Sequence, residues 1–240
     1  MKWTYLLVNL FTVIVPFIFS FHPKLKFYKK FKLFYLANIF IAVLFICWDV
    51  LFTKIRVWGF NPDYVLGIYF LNLPIEEILF FICIPFACVF TYHCLNIFFK
   101  LQWSAKIENI FVLCFSLLLL FVGILFHSKL YTSTTFISLG ILLLVLKYGF
   151  KIKWLAKLVL IYPVLLIPFF IVNGILTGTG LQHPIVWYSD SENIGIRLLT
   201  IPIEDIFYGF ELILLNIFLF EYFKNRNNNS KIIYDEQNIY

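Results

Sequence analysis

The run Pro-Ile-Glu-Glu-Ile at residues 74–78 returns as Pro-Ile-Glu-Asp-Ile at 202–206, and each copy opens a long apolar stretch. The chain has only 13 Asp and Glu among its 240 residues, so two acidic pairs at the edge of apolar runs stand out. Ionisable side chains that enter a bilayer are costly and mark functional sites. A carboxyl group in an apolar cavity can hold a proton at neutral pH and donate it, and a second carboxyl can take one back. Glu76, Glu77, Glu204 and Asp205 are therefore the candidate catalytic residues. The chemistry they suit is protonation of an apolar substrate, rearrangement through a carbocation, and deprotonation. Aromatic faces stabilise cations by about 0.5–2 kcal/mol, and Trp48, Tyr69, Phe80, Phe81, Tyr92, Trp187, Tyr188, Phe207 and Tyr208 lie near the acids or their spans in sequence.

The competing explanation is capping. Pro74 and Pro202 suit the first turn of a helix, where a missing N–H costs nothing, and acids there are favoured by the helix dipole. Three features argue against caps alone: the acid is doubled at both sites, the flanking residues match, and further polar groups sit close by. Asp49 at the end of one apolar run and Asn173 near the end of another are plausible counterparts. Glu211, seven residues after Glu204, faces the same way two turns deeper. Asp49, Asn173, Glu211, Pro74 and Pro202 are thus supporting residues. Neighbouring helical residues point about 100° apart, so at most one acid of each pair faces a shared cavity. Glu77 and Glu204 are the first choice, although spacing does not separate them from Glu76 and Asp205.

These groups need elements to hold them. The chain is 62% hydrophobic and 13% charged, with a mean hydropathy of +0.92, far from the roughly one-quarter charged residues of a soluble domain. Runs near the ~20 residues that span a bilayer occur at 3–21, 33–52, 74–99, 107–126, 130–149, 154–176 and 198–223. The fold class expected is an all-α polytopic membrane protein with about seven transmembrane helices. The weakest boundary lies between the fourth and fifth spans, where only 127–129 intervene. The first run lacks a small-x-small cleavage site and is expected to stay as an anchor.

The net charge of +6 does not signal nucleic acid, because the basic residues sit in loops between spans. Fourteen of the 19 Lys and Arg fall on one side and five on the other, which places the N-terminus outside and the C-terminus in the cytoplasm. The acidic layer then lies toward the outer leaflet, and 225–240 is a polar cytoplasmic tail with an irregular end. The five Cys and four His show no metal-ligand spacing. No Gly-x-Gly-x-x-Gly is present, so neither a metal nor a dinucleotide cofactor is expected.

The two acidic motifs are 128 residues apart and open the third and seventh spans. They open helices four apart, and an even offset gives both halves one orientation. The expected organisation is a first three-helix repeat at 1–100, a linking helix at 101–129, a second repeat at 130–224, and the tail at 225–240. The loops before the motifs, 53–73 and 177–197, are equally long on these boundaries.

Pro-x-Glu-Glu-x-x-Phe-Phe at 74–81, Pro-x-Glu-Asp at 202–205 and Trp48-Asp49 together resemble the membrane-integral lycopene cyclase family, built of two homologous three-helix units. The resemblance covers nearly the whole chain. It implies cyclisation of lycopene end groups to β-ionone rings in carotenoid biosynthesis, giving γ-carotene or β-carotene by an intramolecular lyase or isomerase reaction without flavin. It also implies a bacterial inner-membrane location, with a linear carotenoid, membrane lipid and other carotenoid enzymes as partners. One departure from the family pattern is a polar insertion around 189–193. Three rivals remain: a retinal protein, which the lack of lysine in 198–223 disfavours; a seven-helix carrier; and a non-catalytic membrane partner of carotenoid enzymes. The sequence carries no signal for oligomeric state.

Overall fold

In a computed structural model, the backbone is described for residues 1–237 and the side chains for residues 1–227. Seven helices carry the chain: α1 (Thr4–Phe19), α2 (Phe31–Lys54), α3 (Ile75–Phe98), α4 (Ala105–Leu125), α5 (Leu130–Leu144), α6 (Leu155–Leu176) and α7 (Ile203–Gln237). Among the described residues, six helical stretches are long and apolar enough to cross a membrane. The first is shorter than its apolar run: α1 has 16 residues, roughly 24 Å at 1.5 Å per residue. The expected irregular tail instead continues α7 to Gln237, since extending a formed helix costs little compared with nucleating one. The remainder of that tail lies outside the described residues.

The packing is that of a duplicated unit. α1 packs on α3 and α2 on α3; in the second half α5 packs on α7 and α6 on α7. Across the halves, α2 meets α7 and α3 meets α6. A three-helix unit ends on the opposite face of the membrane from where it began. A parallel copy therefore needs an odd number of linking helices, and α4 supplies that crossing. It leans on α5 through small residues. A Cβ on Gly140 would lie 3.1 Å from the carbonyl oxygen of Ser116, so the two helix backbones approach closely there. A part-buried ion pair, Lys147 to Glu108 at 2.7 Å, ties the start of α4 to the helical turn Val145–Gly149 that follows α5.

Both halves repeat each other down to the turns. Strands β2 (Tyr69–Phe70) and β3 (Leu73–Pro74) form a hairpin into α3, and β5 (Arg197–Leu198) and β6 (Ile201–Pro202) form its copy into α7. Leu71 and Leu199 hold φ of 55° and 59°, and Gly67 and Gly195 hold 84° and 83°. The strained left-handed positions are thus reproduced at an offset of 128. Pro74 is not in the first helical turn, as its residue type suggested, but extended at the N-cap with φ −64° and ψ 148°. It pairs with Tyr69 in the hairpin, a place where a missing N–H is also tolerated. Pro202 sits in β6, directly before α7.

Strands β1 (Trp58–Phe60) and β4 (Val186–Tyr188) pair antiparallel, with Gly59 opposite Trp187. These two residues are themselves equivalent by the 128 offset, so the loops of the two halves meet about the pseudo-two-fold axis. The loops are not equally long. Asp49 and Asn173 correspond at an offset of 124, whereas the acids correspond at 128. The backbone bonds Val57 N–H to Phe52 C=O and Ile185 N–H to Leu176 C=O place the four extra residues within 177–184. Within the repeat, 189–193 is the counterpart of 61–65, just ahead of the matched amides of Leu66 and Ile194.

The close α4–α5 contact yields a stability test. Gly140→Leu forces side-chain atoms toward a backbone carbonyl, and overpacking of this kind costs about 1–3 kcal/mol. Thermal unfolding in detergent should show a lowered Tm, with a smaller effect for Gly140→Ala.

Candidate active site

The helix starts of α3 and α7, the ends of α2 and α6, and the starts of α1 and α5 converge at one end of the bundle. Glu76, Glu77, Glu204 and Asp205 are all buried there, at 0%, 7%, 0% and 5% exposure. No side chain caps α3 at Pro74. The acids lie in the first turn and bond to other segments.

Within each pair the two acids part company. Glu76 Oε1 accepts from the backbone N–H of Leu66 at 2.7 Å, and Glu204 Oε1 accepts from that of Ile194 at 2.8 Å. Both amides lie ten residues upstream of their acid. Glu204 also takes the hydroxyl of Thr132 at 2.6 Å. These first acids hold loops. The second acids face a cavity of about 110 Å³ that both Glu77 and Asp205 line. The sequence paired Glu77 with Glu204; the structure pairs Glu77 with Asp205. The reason is that the first acid of each motif is turned toward the loop amide and the second toward the axis.

Each cavity acid is held by tyrosine. Tyr5 of α1 donates to Glu77 Oε2. Its counterpart Tyr131 of α5 donates to Asp205 Oδ1 at 2.6 Å, and Tyr188 of β4 donates to Oδ2 at 2.9 Å. Burial, and then the neighbouring Asp205 carboxyl, push the Tyr188 phenol well above its ordinary pKa, so it remains a donor at neutral pH. Asp205 thus receives one phenol on each oxygen. Glu77 receives one in all among the described residues.

The supporting residues divide as well. Asp49 lines the cavity and accepts from the indole N–H of Trp58 on β1. Its Oδ2 is buried and has no partner among the described residues. Asn173 lines the cavity at the matching position. Glu211 accepts from Ser138 of α5 at 2.8 Å. It shares the α5-facing side of Glu204, as the spacing predicted, but lies away from the cavity lining. Of the aromatics named from sequence, Phe80, Tyr188 and Tyr208 line the cavity. Tyr69 and Trp187 are exposed, and Tyr92 sits toward the opposite end, beside Trp154.

Sequence reasoning missed Tyr5, Tyr131 and Trp58. Aligning α1 with α5 at an offset of 126 would have exposed the two tyrosines as a repeated residue. No comparable signal marked Trp58, whose role depends on the β1–β4 pairing. In the cavity wall, Trp58, Tyr131, Tyr188 and Tyr208 form a continuous aromatic cluster with centroid spacings of 5.1–6.2 Å. Among the described residues no group of three or more His, Cys, Asp or Glu is arranged to hold a metal. Carboxyl groups held by phenols in an apolar, aromatic-walled space can move protons.

The chain matches the family model described as lycopene cyclase in two segments, residues 2–95 and 128–223. No curated protein and no solved structure matches it.

The loop-holding acids carry a separable prediction. Glu76→Ala or Glu204→Ala leaves a buried backbone N–H without its acceptor, a loss of about 1–3 kcal/mol. Each should lower the Tm in detergent. Glu76→Gln and Glu204→Gln, which still accept a hydrogen bond, should lower it less.

Proposed function

Because this chain belongs to the lycopene cyclase family, whose members cyclise carotenoids in the membrane, we propose that it closes the linear ψ end group of lycopene to a β-ionone ring by acid–base catalysis between Glu77 and Asp205. The observation that carries this reading is the placement of those two carboxyl groups in one aromatic-lined cavity, each anchored by a tyrosine from its own half. The reaction is an intramolecular isomerisation with no net redox change.

Glu77 is the proton donor in this reading. With a single phenol on Oε2 it keeps its other oxygen free of protein donors among the described residues, and a protonated carboxyl needs a free O–H to aim at an alkene. The proton adds to the terminal double bond. The resulting tertiary cation is attacked by the adjacent alkene, closing a six-membered ring and moving the positive charge onto it. Tyr208, Phe80 and Trp58 offer ring faces to that charge. Asp205, with a phenol on each oxygen, is arranged to carry negative charge and takes the departing proton. Which proton leaves sets the position of the ring double bond. Asp49 lies on the same wall and serves as a supporting carboxyl that tunes the pair.

The proposed setting is the bacterial inner membrane, with the acidic end toward the outside and the C-terminus in the cytoplasm, a reading supported by the Lys and Arg distribution. The substrate arrives from the lipid phase, and other carotenoid enzymes supply it. Neither flavin nor metal takes part in the reaction as written.

Expression in lycopene-accumulating bacteria should convert the red pigment to cyclic carotene, read by chromatography. Glu77→Gln and Asp205→Asn should each cut turnover by about 10²–10⁴-fold, whereas Glu76→Gln and Glu204→Gln should retain more. Near-normal cyclisation in both cavity variants, with the protein present in the membrane, would overturn the mechanism. In deuterated water, each ring formed should carry one deuterium from the exchanged acid. Product without deuterium would exclude external protonation as the initiating step.

A further inference from the structure

The duplication offers two clefts of the same kind, one between α3 and α6 and its counterpart between α7 and α2. Matched positions are found by the offsets above, 124 between α2 and α6 and 128 between α3 and α7. The cleft lined by Glu77 and Asp205 lies on the α3–α6 side and extends along α3 through Ile84, Ala87, Cys88 and Thr91. From Glu77 to Thr91 is 14 residues, or roughly 21 Å of helix. On α6 its wall includes Pro168, which is exposed at the outer surface, so the cleft opens sideways.

At four matched positions the open side carries the smaller residue. Gly209 stands where the other side has Phe81, Val172 where it has Trp48, Ala87 where it has Leu215, and Thr91 where it has Leu219. The larger set fills its cleft. Phe81 is fully buried and joins Phe45, Ile41, Ala42 and Leu212 in one apolar cluster, with Leu215 and Leu219 packed against it. Phe45 lies 6.0 Å from Phe81 and 5.9 Å from Trp48, centroid to centroid. Its counterpart Phe169 instead lines the open cleft. A Cβ on Gly209 would already lie 3.3 Å from Phe169 and 3.5 Å from the Tyr162 hydroxyl.

We propose that the duplicated fold keeps one carotenoid cleft and plugs the other, so that both acidic motifs serve a single substrate and Gly209, Ala87 and Thr91 are the residues that admit its polyene. The proposal rests on the cyclase reading. The occupant is a linear, apolar polyene entering sideways from lipid. Its end group meets the carboxyl pair and its chain lies along the α3 face. One end is processed per binding event, and the molecule must leave and return reversed for the second ring. The glycine is a specificity determinant here, not a catalytic residue.

The test carries the plug across. Gly209→Phe, and separately the pair Ala87→Leu with Thr91→Leu, are made in the full chain and expressed in lycopene-accumulating cells, with Leu117→Phe on the exposed face of α4 as a control for added bulk. Membrane levels are measured for every variant. Cyclic carotene should fall at least tenfold in both plugged variants and stay at the wild-type level in the control. Gly209→Ala, the mildest change, should raise KM more than it lowers kcat, and it carries the test if Gly209→Phe fails to accumulate. Bound pigment is then read spectroscopically in the Glu77→Gln/Asp205→Asn background. One lycopene per chain is expected, and none after adding Gly209→Phe. Two per chain, or wild-type cyclisation by the plugged variants, would overturn the single-cleft proposal while leaving the cyclase reading intact. Failure of the wild-type chain to cyclise lycopene would instead sink the reading beneath it.

Discussion

A carboxyl oxygen taken into the apolar end of this bundle must find a donor, because an unpaired buried charge costs more than any packing around it returns. That requirement organises the molecule. Glu76 and Glu204 meet it by reaching the amides of Leu66 and Ile194, which pins each loop ten residues ahead of its helix. The pinned loops bring β1 and β4 together over the cavity. The paired strands then deliver the Trp58 indole to Asp49 and the Tyr188 phenol to Asp205. One acid of each pair thus supports the roof, and its neighbour, turned about 100° round the helix, is left to face the space beneath.

The same division of labour explains why each motif contains two acids. A single carboxylate could hold the loop or enter the cavity, but the two tasks require directions that one side chain cannot serve. The tyrosines of α1 and α5 complete the arrangement from the far side of each unit. Consequently Glu77 and Asp205 are each held by their own half and meet only across the axis. α4 stands outside this scheme. It returns the chain to the face where the second unit must begin, and its small residues against α5 let it do so closely.

Duplication gives symmetry, and chemistry requires that it be broken. The backbone keeps the symmetry closely, to the left-handed φ of Leu71 and Leu199. The side chains depart from it where the cavity lies. Asp49 is answered by Asn173, Glu77 by Asp205, and one phenol on Glu77 by two on Asp205. Two carboxyl groups with different donors can take opposite parts in proton transfer, which two identical ones do less readily.

The sequence by itself determined the class of the fold, the repeat and the acidic end. Apolar length is a local property, and a motif repeated after an even number of spans fixes the orientation of the halves. It also named Asp49 and Asn173 as counterparts, since both close the helix before an acidic motif. It did not separate Glu77 from Glu76 or Asp205 from Glu204, because adjacent residues on a helix differ only in direction, and direction has meaning only against neighbours. Tyr5 and Tyr131 lie 72 and 74 residues from the acids they hold, too far for any local pattern to join them. Trp58 reaches Asp49 only because two loops from different halves pair over the cavity. The open and plugged clefts were likewise invisible until the helices were packed: Gly209 and Phe81 read as ordinary apolar-run residues, and only their shared place in two equivalent seams shows that one is a space and the other its filling.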